Sequence, residues 1–179
     1  MAAKIAPLSE RVANRLRPIP DFPKPGVLFQ DITPLLADTD LFAAVVSWYA
    51  RVGRESDANA VACVEARGFL FGAAVALRSS LPLVPLRKPG KLPAATLSEP
   101  YELEYGTDLL ELHADALTPG MRVLLVDDVL ATGGTLAAAC RLVEKAGATL
   151  AAVAVAVAIA GLPGQELLNR EPCHVLVTV

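Results

Sequence analysis

Two adjacent carboxylates, Asp127 and Asp128, follow an apolar run from Val123 to Val126. Small and hydroxylic residues come shortly after them, from Ala131 to Thr135, and a helical pattern begins directly beyond. Ligands of parallel α/β sheets bind beyond the carboxyl ends of the strands, so chemistry is expected at this position. Glycine amides and threonine hydroxyls beside the positive end of a helix suit a phosphate. The pattern therefore predicts a phosphate-binding loop next to two carboxylates.

Other phosphate-binding motifs do not fit this chain. A Walker loop ends in Gly-Lys-Ser/Thr, which neither Gly134-Thr135 nor Gly90-Lys91-Leu92 provides, and the GxGxxG dinucleotide fingerprint is absent. A phospho-accepting receiver domain needs a further aspartate downstream, and no aspartate follows Asp128. The remaining alternative is a strand that ends in solvated acids before a glycine turn, which the mutual repulsion of adjacent carboxylates disfavours.

The elements that position these residues are indicated by hydrophobic periodicity. Helical patterns from Phe69 to Arg78 and from Leu136 to Lys145 alternate with short apolar runs, each of strand length. The apolar runs are Ala60–Val64, Leu83–Leu86, Leu109–Leu112, Val123–Val126, Leu150–Ile159 and Val175–Val179. Such alternation predicts an α/β fold with a central parallel sheet flanked by helices on both faces.

The remaining segments receive coarser predictions. A helix is expected from Ala6 to Leu16, followed by an irregular, extended stretch because prolines stand at 18, 20, 23 and 25. A second helix is expected to start near Asp38 or Asp40, either of which can cap it. The stretch from Pro89 to Gly106, rich in proline, glycine and mixed charge, is predicted to be a long loop, and such loops often act as lids or binding loops.

Composition restricts the class of protein. With 179 residues, of which 54% are hydrophobic, the chain suits one domain with a substantial core. A formal net charge of -3 argues against nonspecific nucleic-acid binding. The three cysteines are odd in number and form no CxxC pair, so we expect neither disulfides nor zinc, and a reducing cytoplasm. The longest apolar run, Leu150 to Leu162, is too short to span a membrane, so no membrane association is expected.

Several segments together resemble a known family. The apolar strand, the acidic pair and the small-Thr-Gly-Gly-Thr loop resemble the signature of type I phosphoribosyltransferases. Further segments are similar to adenine-specific members of that family, and the matches extend over roughly residues 20 to 147. These segments are Phe22–Thr33, Glu65–Gly72, Arg87–Pro93 and Tyr101–Gly106.

The resemblance implies transfer of the phosphoribosyl group from phosphoribosyl pyrophosphate to N9 of adenine, which yields AMP and pyrophosphate. Asp127 and Asp128 would contact the ribose hydroxyls and stabilise the ring as it becomes cationic. Mg²⁺ would be bound by the substrate with no direct protein ligand. The loop that holds the 5-phosphate would consist of Ala131, Thr132, Gly133, Gly134 and Thr135.

The resemblance assigns the other ligand groups as well. Pyrophosphate would be bound by Arg67, Arg87, Lys88 and Lys91, the first three of which directly follow predicted strands. Glu104 would handle the proton on adenine, and Tyr105 would orient the leaving group or shield the site; both lie on an active-site loop at about residues 89–106. Adenine would be read by the backbone of an N-terminal hood, about residues 1–35, through Leu28, Phe29 and Gln30.

Two alternatives stay open at this point. One is a transferase of the same fold that acts on another purine base, such as xanthine or hypoxanthine. Gln30 stands where the family often has arginine, a change that backbone readout of the base tolerates. The other is a nucleotide-sensing regulator without turnover. Members of the family are commonly homodimers, so the resemblance also implies a homodimer.

Overall fold

A five-stranded parallel sheet is the middle layer of the structure, a computed structural model that describes residues 6–102, 107–169 and 171–179. In chain order the elements are α1 (Leu8–Ala13), β1 (Arg17–Pro20), β2 (Leu28–Asp31), α2 (Thr33–Leu36), α3 (Thr39–Glu55), β3 (Ala60–Val64), α4 (Gly68–Ser79), β4 (Leu83–Leu86), β5 (Thr96–Glu102), β6 (Thr107–His113), β7 (Arg122–Leu130), α5 (Gly134–Lys145), β8 (Thr149–Ala158), α6 (Gly164–Leu167) and β9 (Cys173–Thr178).

The central sheet has the strand order β4-β3-β7-β8-β9, and every neighbouring pair is parallel. Five of the six predicted strands belong to it. Its inner strands are apolar on both faces, as layers on both sides require, and all five residues of β3 are buried. Strand β7 continues past the acidic pair, because Val129 and Leu130 still pair with β8. Asp127 and Asp128 therefore lie within the last part of the strand rather than beyond it.

Helices cover both faces of this sheet, as predicted. Helices α1, α3 and α4 pack on one face, and α5 packs on the other together with the β5–β6 hairpin. The helix α4 approaches β3 closely, since a Cβ placed on Gly72 would lie 2.4 Å from Cys63 Cβ. This contact fixes the start of α4 beside the end of β3. Among the described residues, no helix combines the length and apolar character needed to cross a bilayer.

The N-terminal region contains more regular structure than predicted. Helix α1 is shorter than the expected Ala6–Leu16, and the proline-rich stretch was wrongly expected to be irregular throughout, because β1 and β2 pair as an antiparallel ribbon. Two of the four positions of β1 are proline, which an isolated two-stranded ribbon tolerates. The ribbon is clamped by Arg17 Nε on Asp31 Oδ2 at 2.9 Å. As predicted, Asp38 caps α3 by accepting from the Leu41 amide at 3.0 Å.

The prediction of a continuous loop from Pro89 to Gly106 was wrong from Thr96 to Glu102, and residues 103–106 lie outside the described residues. Residues Thr96–Glu102 form β5, which pairs antiparallel with β6. The predicted strand Leu109–Leu112 belongs to this hairpin and not to the central sheet. Alternation explains the pairing, because Leu97, Glu99 and Tyr101 all occupy one face of β5 and that face packs on α5.

Candidate active site

Three adjacent strands bring the predicted site residues to one edge of the central sheet. Strand β3 lies between β4 and β7, with Val64 level with Leu86 and Cys63 level with Val126. Because all three strands are parallel, the residues that follow them emerge on the same side. The predicted grouping of the cations after β3 and β4 with the carboxylates of β7 is therefore present.

A cleft of about 370 Å³ lies at this edge. It brings together most of the residues expected to bind phosphoribose and one of the four expected to bind pyrophosphate. Its lining consists of Val64, Glu65, Ala66, Arg67, Asp127, Asp128, Val129, Leu130, Ala131, Thr132, Gly133, Thr135 and Leu136.

The predicted phosphate loop turns sharply at Gly133, the residue before α5. Its φ of 85° lies in the left-handed region, and a Cβ there would lie 2.9 Å from Gly164 Cα. Glycine is thus required at this position both by conformation and by space. Gly134 begins the helix and lines a neighbouring cleft. The first amides of α5 have no acceptor within the helix, so they remain available for an anion beside the positive helix end.

Helix α6 packs against the phosphate loop through its first residue, Gly164. The Gly164 amide donates to the Ala131 carbonyl at 3.1 Å. A Cβ on Gly164 would lie 2.3 Å from that carbonyl oxygen and 2.8 Å from Leu130 Cδ1. The sequence analysis missed this residue, because the requirement for glycine comes from a contact between segments distant along the chain.

Asp128 is the buried member of the acidic pair, with 2% of its surface exposed. Its Oδ2 lies 2.6 Å from Arg67 Nε in an ion pair. Apart from this ion pair, no hydrogen bond to the buried Oδ2 is found in the described part of the chain. The Arg67 guanidinium carbon also stands 5.4 Å from the centre of the Phe29 ring. Arg67 thus links the carboxylates to β2 of the N-terminal ribbon.

Asp127 is held by its own backbone and by a fully buried tyrosine. Its Oδ1 accepts from the Asp128 amide at 2.9 Å, and its carbonyl accepts from the Tyr49 hydroxyl at 2.7 Å. A side chain on Gly68 would crowd it, since a Cβ there would lie 2.7 Å from Asp127 Oδ1. Burial, and next the charge of Asp128, raise the pKa of Asp127 well above its ordinary value. The same two causes, with the charge of Asp127, raise the pKa of Tyr49.

The other three predicted pyrophosphate ligands do not line the cleft. Arg87 Nε donates to Glu65 Oε2 at 3.0 Å, and its terminal nitrogen donates to the Lys91 carbonyl at 3.1 Å. Lys88 Nζ lies 3.1 Å from Asp108 Oδ2. The structure therefore places Arg67 in the cleft and holds Arg87 and Lys88 beside it on carboxylates of the same chain.

The predicted base-reading residues form β2. Leu28 lies opposite Pro20 and Gln30 opposite Pro18. Because proline has no N–H, these positions suit the non-hydrogen-bonded pairs of an antiparallel ladder. In such pairs the backbone N–H and C=O point away from the partner strand. The backbone of Leu28 and Gln30 is then open to a ligand, and Phe29 contributes the ring beside Arg67.

Glu104 and Tyr105, predicted to be catalytic, lie outside the described residues. They belong to the segment that connects β5 to β6. The two strands of this hairpin lie beside the phosphate loop, because Pro100, Tyr101 and Thr107 line one cleft together with Gly134 of α5.

The fold and the site define the class as a phosphoribosyltransferase. The family model for the phosphoribosyl transferase domain matches residues 36–175, which include four strands of the central sheet, the start of β9, the cleft and the phosphate loop. The match confirms the resemblance inferred from the acidic pair and the loop that follows it.

Individual relatives narrow the class. The adenine phosphoribosyltransferase of Kineococcus radiotolerans is 52% identical over 178 residues, covering 97% of this chain and 96% of the relative. The crystal structure of the adenine phosphoribosyltransferase from Thermoanaerobacter pseudethanolicus has a TM-score of 0.91 at 45% identity and covers 95% of this chain and 99% of its own. The enzyme from Saccharomyces cerevisiae has a TM-score of 0.88 at 35% identity, with 94% and 98% covered. The chain belongs to the adenine phosphoribosyltransferases, pentosyltransferases of purine salvage.

Proposed function

We propose that the chain transfers the 5-phosphoribosyl group of phosphoribosyl pyrophosphate to N9 of adenine and releases AMP and pyrophosphate. The bond between ribose C1 and the pyrophosphate oxygen breaks, the bond between C1 and N9 forms, and N9 loses its proton. The observation that carries the proposal is the single cleft that contains a glycine-turned loop, a buried carboxylate and an arginine. These groups match the phosphate, the ribose and the leaving group of one substrate.

The loop from Ala131 to Thr135 is proposed to bind the 5-phosphate. Its turn at Gly133 directs backbone amides and the hydroxyls of Thr132 and Thr135 toward the cleft, beside the positive end of α5. Gly164 holds the outer side of the loop, so the loop is shaped before the substrate arrives. Preorganised donors of this kind lose little entropy on binding.

The carboxylates are proposed to act on the ribose. Asp128 lines the cleft beside Arg67, and its carboxylate oxygens can accept a hydrogen bond from a ribose hydroxyl. As the bond to pyrophosphate lengthens, positive charge develops on the ring beside Asp127 and Asp128. A fixed negative charge at that place stabilises the transition state more than the ground state.

The leaving pyrophosphate is proposed to be bound by Arg67, with Arg87, Lys88 and Lys91 at the rim. Arg67 has one edge on Asp128, and its side chain is 46% exposed, so its remaining N–H groups can reach phosphate oxygens. The carboxylates Glu65 and Asp108 keep Arg87 and Lys88 near the cleft before substrate binds.

Adenine is proposed to bind beneath the hood formed by about residues 1–35. The free backbone groups of Leu28 and Gln30 match the donor and acceptor of the N6 and N1 edge, and Phe29 covers the base. Because the backbone reads the base, glutamine at position 30 is compatible with adenine. The structure from Saccharomyces cerevisiae contains adenine and an imino-altritol bisphosphate, a ligand pair of the same chemistry. Glu104 is proposed to handle the adenine proton and Tyr105 to shield the site.

Mg²⁺ is proposed to arrive with the substrate. The oxygen donors that fit this ion are the carboxylates of Asp127 and Asp128, which would reach it through water. Within residues 6–102, 107–169 and 171–179, no three acidic, histidine or cysteine side chains form a cluster that could hold a metal. When bound, the ion neutralises charge on the pyrophosphate.

A homodimer is proposed as the assembled state. Leu70 and Leu77 lie seven residues apart on one face of α4 and are 48% and 84% exposed. Leu83 of the edge strand β4 is 41% exposed. A second copy would cover this leucine surface, which consists of Leu70, Leu77 and Leu83. We also propose a cytoplasmic location, consistent with three free cysteines.

The proposed activity is tested by AMP formation from adenine and phosphoribosyl pyrophosphate, with and without Mg²⁺. Hypoxanthine, guanine and xanthine serve as competing bases in parallel reactions. We expect AMP to form only with adenine and to depend on Mg²⁺. Nucleotide formed faster from another base would contradict the adenine assignment, and no turnover with any base would contradict the transferase.

A further inference from the structure

A buried tyrosine hydroxyl contacts the peptide group that joins the two aspartates. The Tyr49 hydroxyl donates to the Asp127 carbonyl at 2.7 Å, across 78 positions of the chain. The amide of the same peptide group, that of Asp128, donates to Asp127 Oδ1 at 2.9 Å. A peptide group is planar, so its carbonyl and its amide turn together. The contact with the tyrosine and the contact with the carboxylate are therefore coupled.

The tyrosine has a fixed place in the core. Tyr49 is fully buried on α3, and the centroid of its ring lies 4.9 Å from that of Trp48 and 5.6 Å from that of Phe71 on α4. A close-packed core leaves such a ring little freedom to change rotamer. Burial, and next the charges of Asp128 and Asp127, raise the pKa of Tyr49 well above its ordinary value, so the hydroxyl keeps the proton that it donates.

The peptide group between the aspartates also determines where both side chains point. It is the backbone between the two Cα atoms, and both Asp127 and Asp128 line the cleft. A turn of this group would move the two carboxylates together. The Asp127 carboxylate has little spare room, because a Cβ on Gly68 would lie 2.7 Å from its Oδ1. A small rotation of the peptide group would therefore disturb the pair.

We propose that Tyr49 is a positioning residue for the acidic pair, whose hydroxyl fixes the peptide group between Asp127 and Asp128 and so directs both carboxylates toward the ribose. This inference rests on the phosphoribosyl transfer proposed above. In the described structure Tyr49 does not line the cleft, so it acts on the substrate only through the two aspartates. Charges that stabilise a transition state must be held in place before the reaction, and support from a rigid neighbouring element does this.

Steady-state kinetics of Tyr49→Phe tests the proposal. Phenylalanine keeps the ring contacts and removes the hydroxyl, so the chain should fold, with a lower melting temperature because the Asp127 carbonyl loses its donor. We expect kcat to fall about tenfold, the effect of one hydrogen bond on a barrier. The KM for adenine, which is proposed to bind at β2, should stay as in the wild type. Val45→Ala, at a fully buried residue one turn earlier on α3, should lower the melting temperature and leave kcat and both KM values unchanged.

The acidic pair supplies a second test. The Asp127→Asn, Asp128→Asn double variant lacks the charges that Tyr49 is proposed to place. Adding Tyr49→Phe to it should leave kcat within about twofold of the double variant, since residues that act through one another are not additive. General damage by Tyr49→Phe would instead lower kcat by the same factor in both backgrounds, which overturns the proposal.

A purely structural role for Tyr49 gives a different result. In that case Tyr49→Phe would lower the melting temperature and leave kcat as in the wild type, which also overturns the proposal. If Tyr49→Phe does not fold, 3-fluorotyrosine at position 49 keeps the ring and the hydroxyl and alters the strength of the donor. The proposal then expects a changed kcat with an unchanged KM for adenine, and an unchanged kcat contradicts it. A wild type that forms AMP beside a Tyr49→Phe variant of equal kcat refutes the positioning role alone, whereas a wild type that forms no AMP refutes the proposed function.

Discussion

Asp127 and Asp128 are neighbours in sequence but have different partners in the structure. Asp128 faces Arg67, whereas Asp127 accepts from the backbone and lies beside fully buried Tyr49. Two carboxylates can act together on a cationic ring only if the fold keeps them close despite their repulsion. Their shared position on β7 and the ion pair of Asp128 with Arg67 provide this arrangement.

The joint role of the pair is tested by replacing both with asparagine. The Asp127→Asn, Asp128→Asn double variant keeps the shape of both side chains and removes their charge. We expect kcat to fall by about 10²–10³, the range for a lost electrostatic contact to a transition state, while the fold persists. Steady-state rates and far-ultraviolet circular dichroism measure the two effects, with Asp115→Asn as the control. A kcat near that of the wild type would reject the transition-state role.

The raised pKa of Asp127 predicts a pH-dependent stability. Burial and the charge of Asp128 raise this pKa above its ordinary value of 3.8, and the charge of Arg67 opposes them. The folded state therefore binds the proton more tightly than the unfolded state, so wild-type stability decreases as pH rises above 3.8 toward the folded-state pKa. Asp127→Asn removes this loss. Its free energy of unfolding should improve relative to the wild type from pH 4 to pH 8, as measured by urea denaturation.

The control is Asp115→Asn. Its free energy of unfolding should differ from that of the wild type by a constant amount from pH 4 to pH 8. A stability difference for Asp127→Asn that shrinks as pH rises would show that the native state favours the charged carboxylate.

At the scale of single residues, the sequence predicted those functional residues that are neighbours along the chain. The acidic pair and the loop after it are contiguous, so their types and order suffice to indicate a phosphate site. Gly164 and Asp108 were missed because each acts on a residue brought near by folding: Ala131 in one case and Lys88 in the other.

At the scale of elements, the apolar runs predicted the central sheet well. Parallel strands that are buried on both faces are apolar at nearly every position, so they stand out in the sequence. The β5–β6 hairpin was missed in part because its first strand falls in the segment from Pro89 to Gly106, which contains prolines 89, 93 and 100 and glycines 90 and 106. The hairpin is held in place by tertiary contacts. Arg141 of α5 donates to Glu99 at 2.7 Å and to the Pro100 carbonyl at 2.9 Å, which attaches β5 to the helix.

The support of the phosphate loop by α6 yields a prediction at this scale. Gly164→Ala places a methyl group 2.3 Å from the Ala131 carbonyl, so the loop must shift. We expect the KM for phosphoribosyl pyrophosphate to rise by about tenfold, since a donor displaced by tenths of an ångström loses its hydrogen bond to the phosphate. The KM for adenine, which binds elsewhere, should change little. Steady-state kinetics with each substrate varied in turn measures both.

Gly161→Ala is the matched control in the same segment. Gly161 has a φ of 77° and open space around its Cα, so alanine there strains the backbone without touching the loop. It should lower the melting temperature and leave both KM values unchanged. An equal rise of both KM values in Gly164→Ala would indicate general damage and contradict the specific support of the loop.

At the scale of the whole molecule, the cleft and the leucine surface lie on different parts of the structure. The carboxyl edge of the sheet holds the cleft, the start of α5 lines it, and the N-terminal ribbon reaches it through Phe29 and Arg67. The leucine surface on α4 and β4 has no such task within the described chain. Arg87 and Lys88 directly follow β4, so a partner covering this edge would lie next to the pyrophosphate ligands.

Association through this edge predicts that charge on the leucine surface separates the subunits. Leu77 is 84% exposed, so Leu77→Glu should not disturb folding of the isolated chain. A symmetric interface would receive two such carboxylates, each removed from water, and the dimer dissociation constant should rise at least about a hundredfold. Sedimentation equilibrium should give the mass of two chains for the wild type and the mass of one chain for Leu77→Glu. The control is Leu162→Glu, at a leucine that is 42% exposed in the loop after β8, and it should keep the mass of two chains. A wild type that sediments as one chain contradicts the homodimer, and a Leu77→Glu variant that remains paired moves the interface to another face.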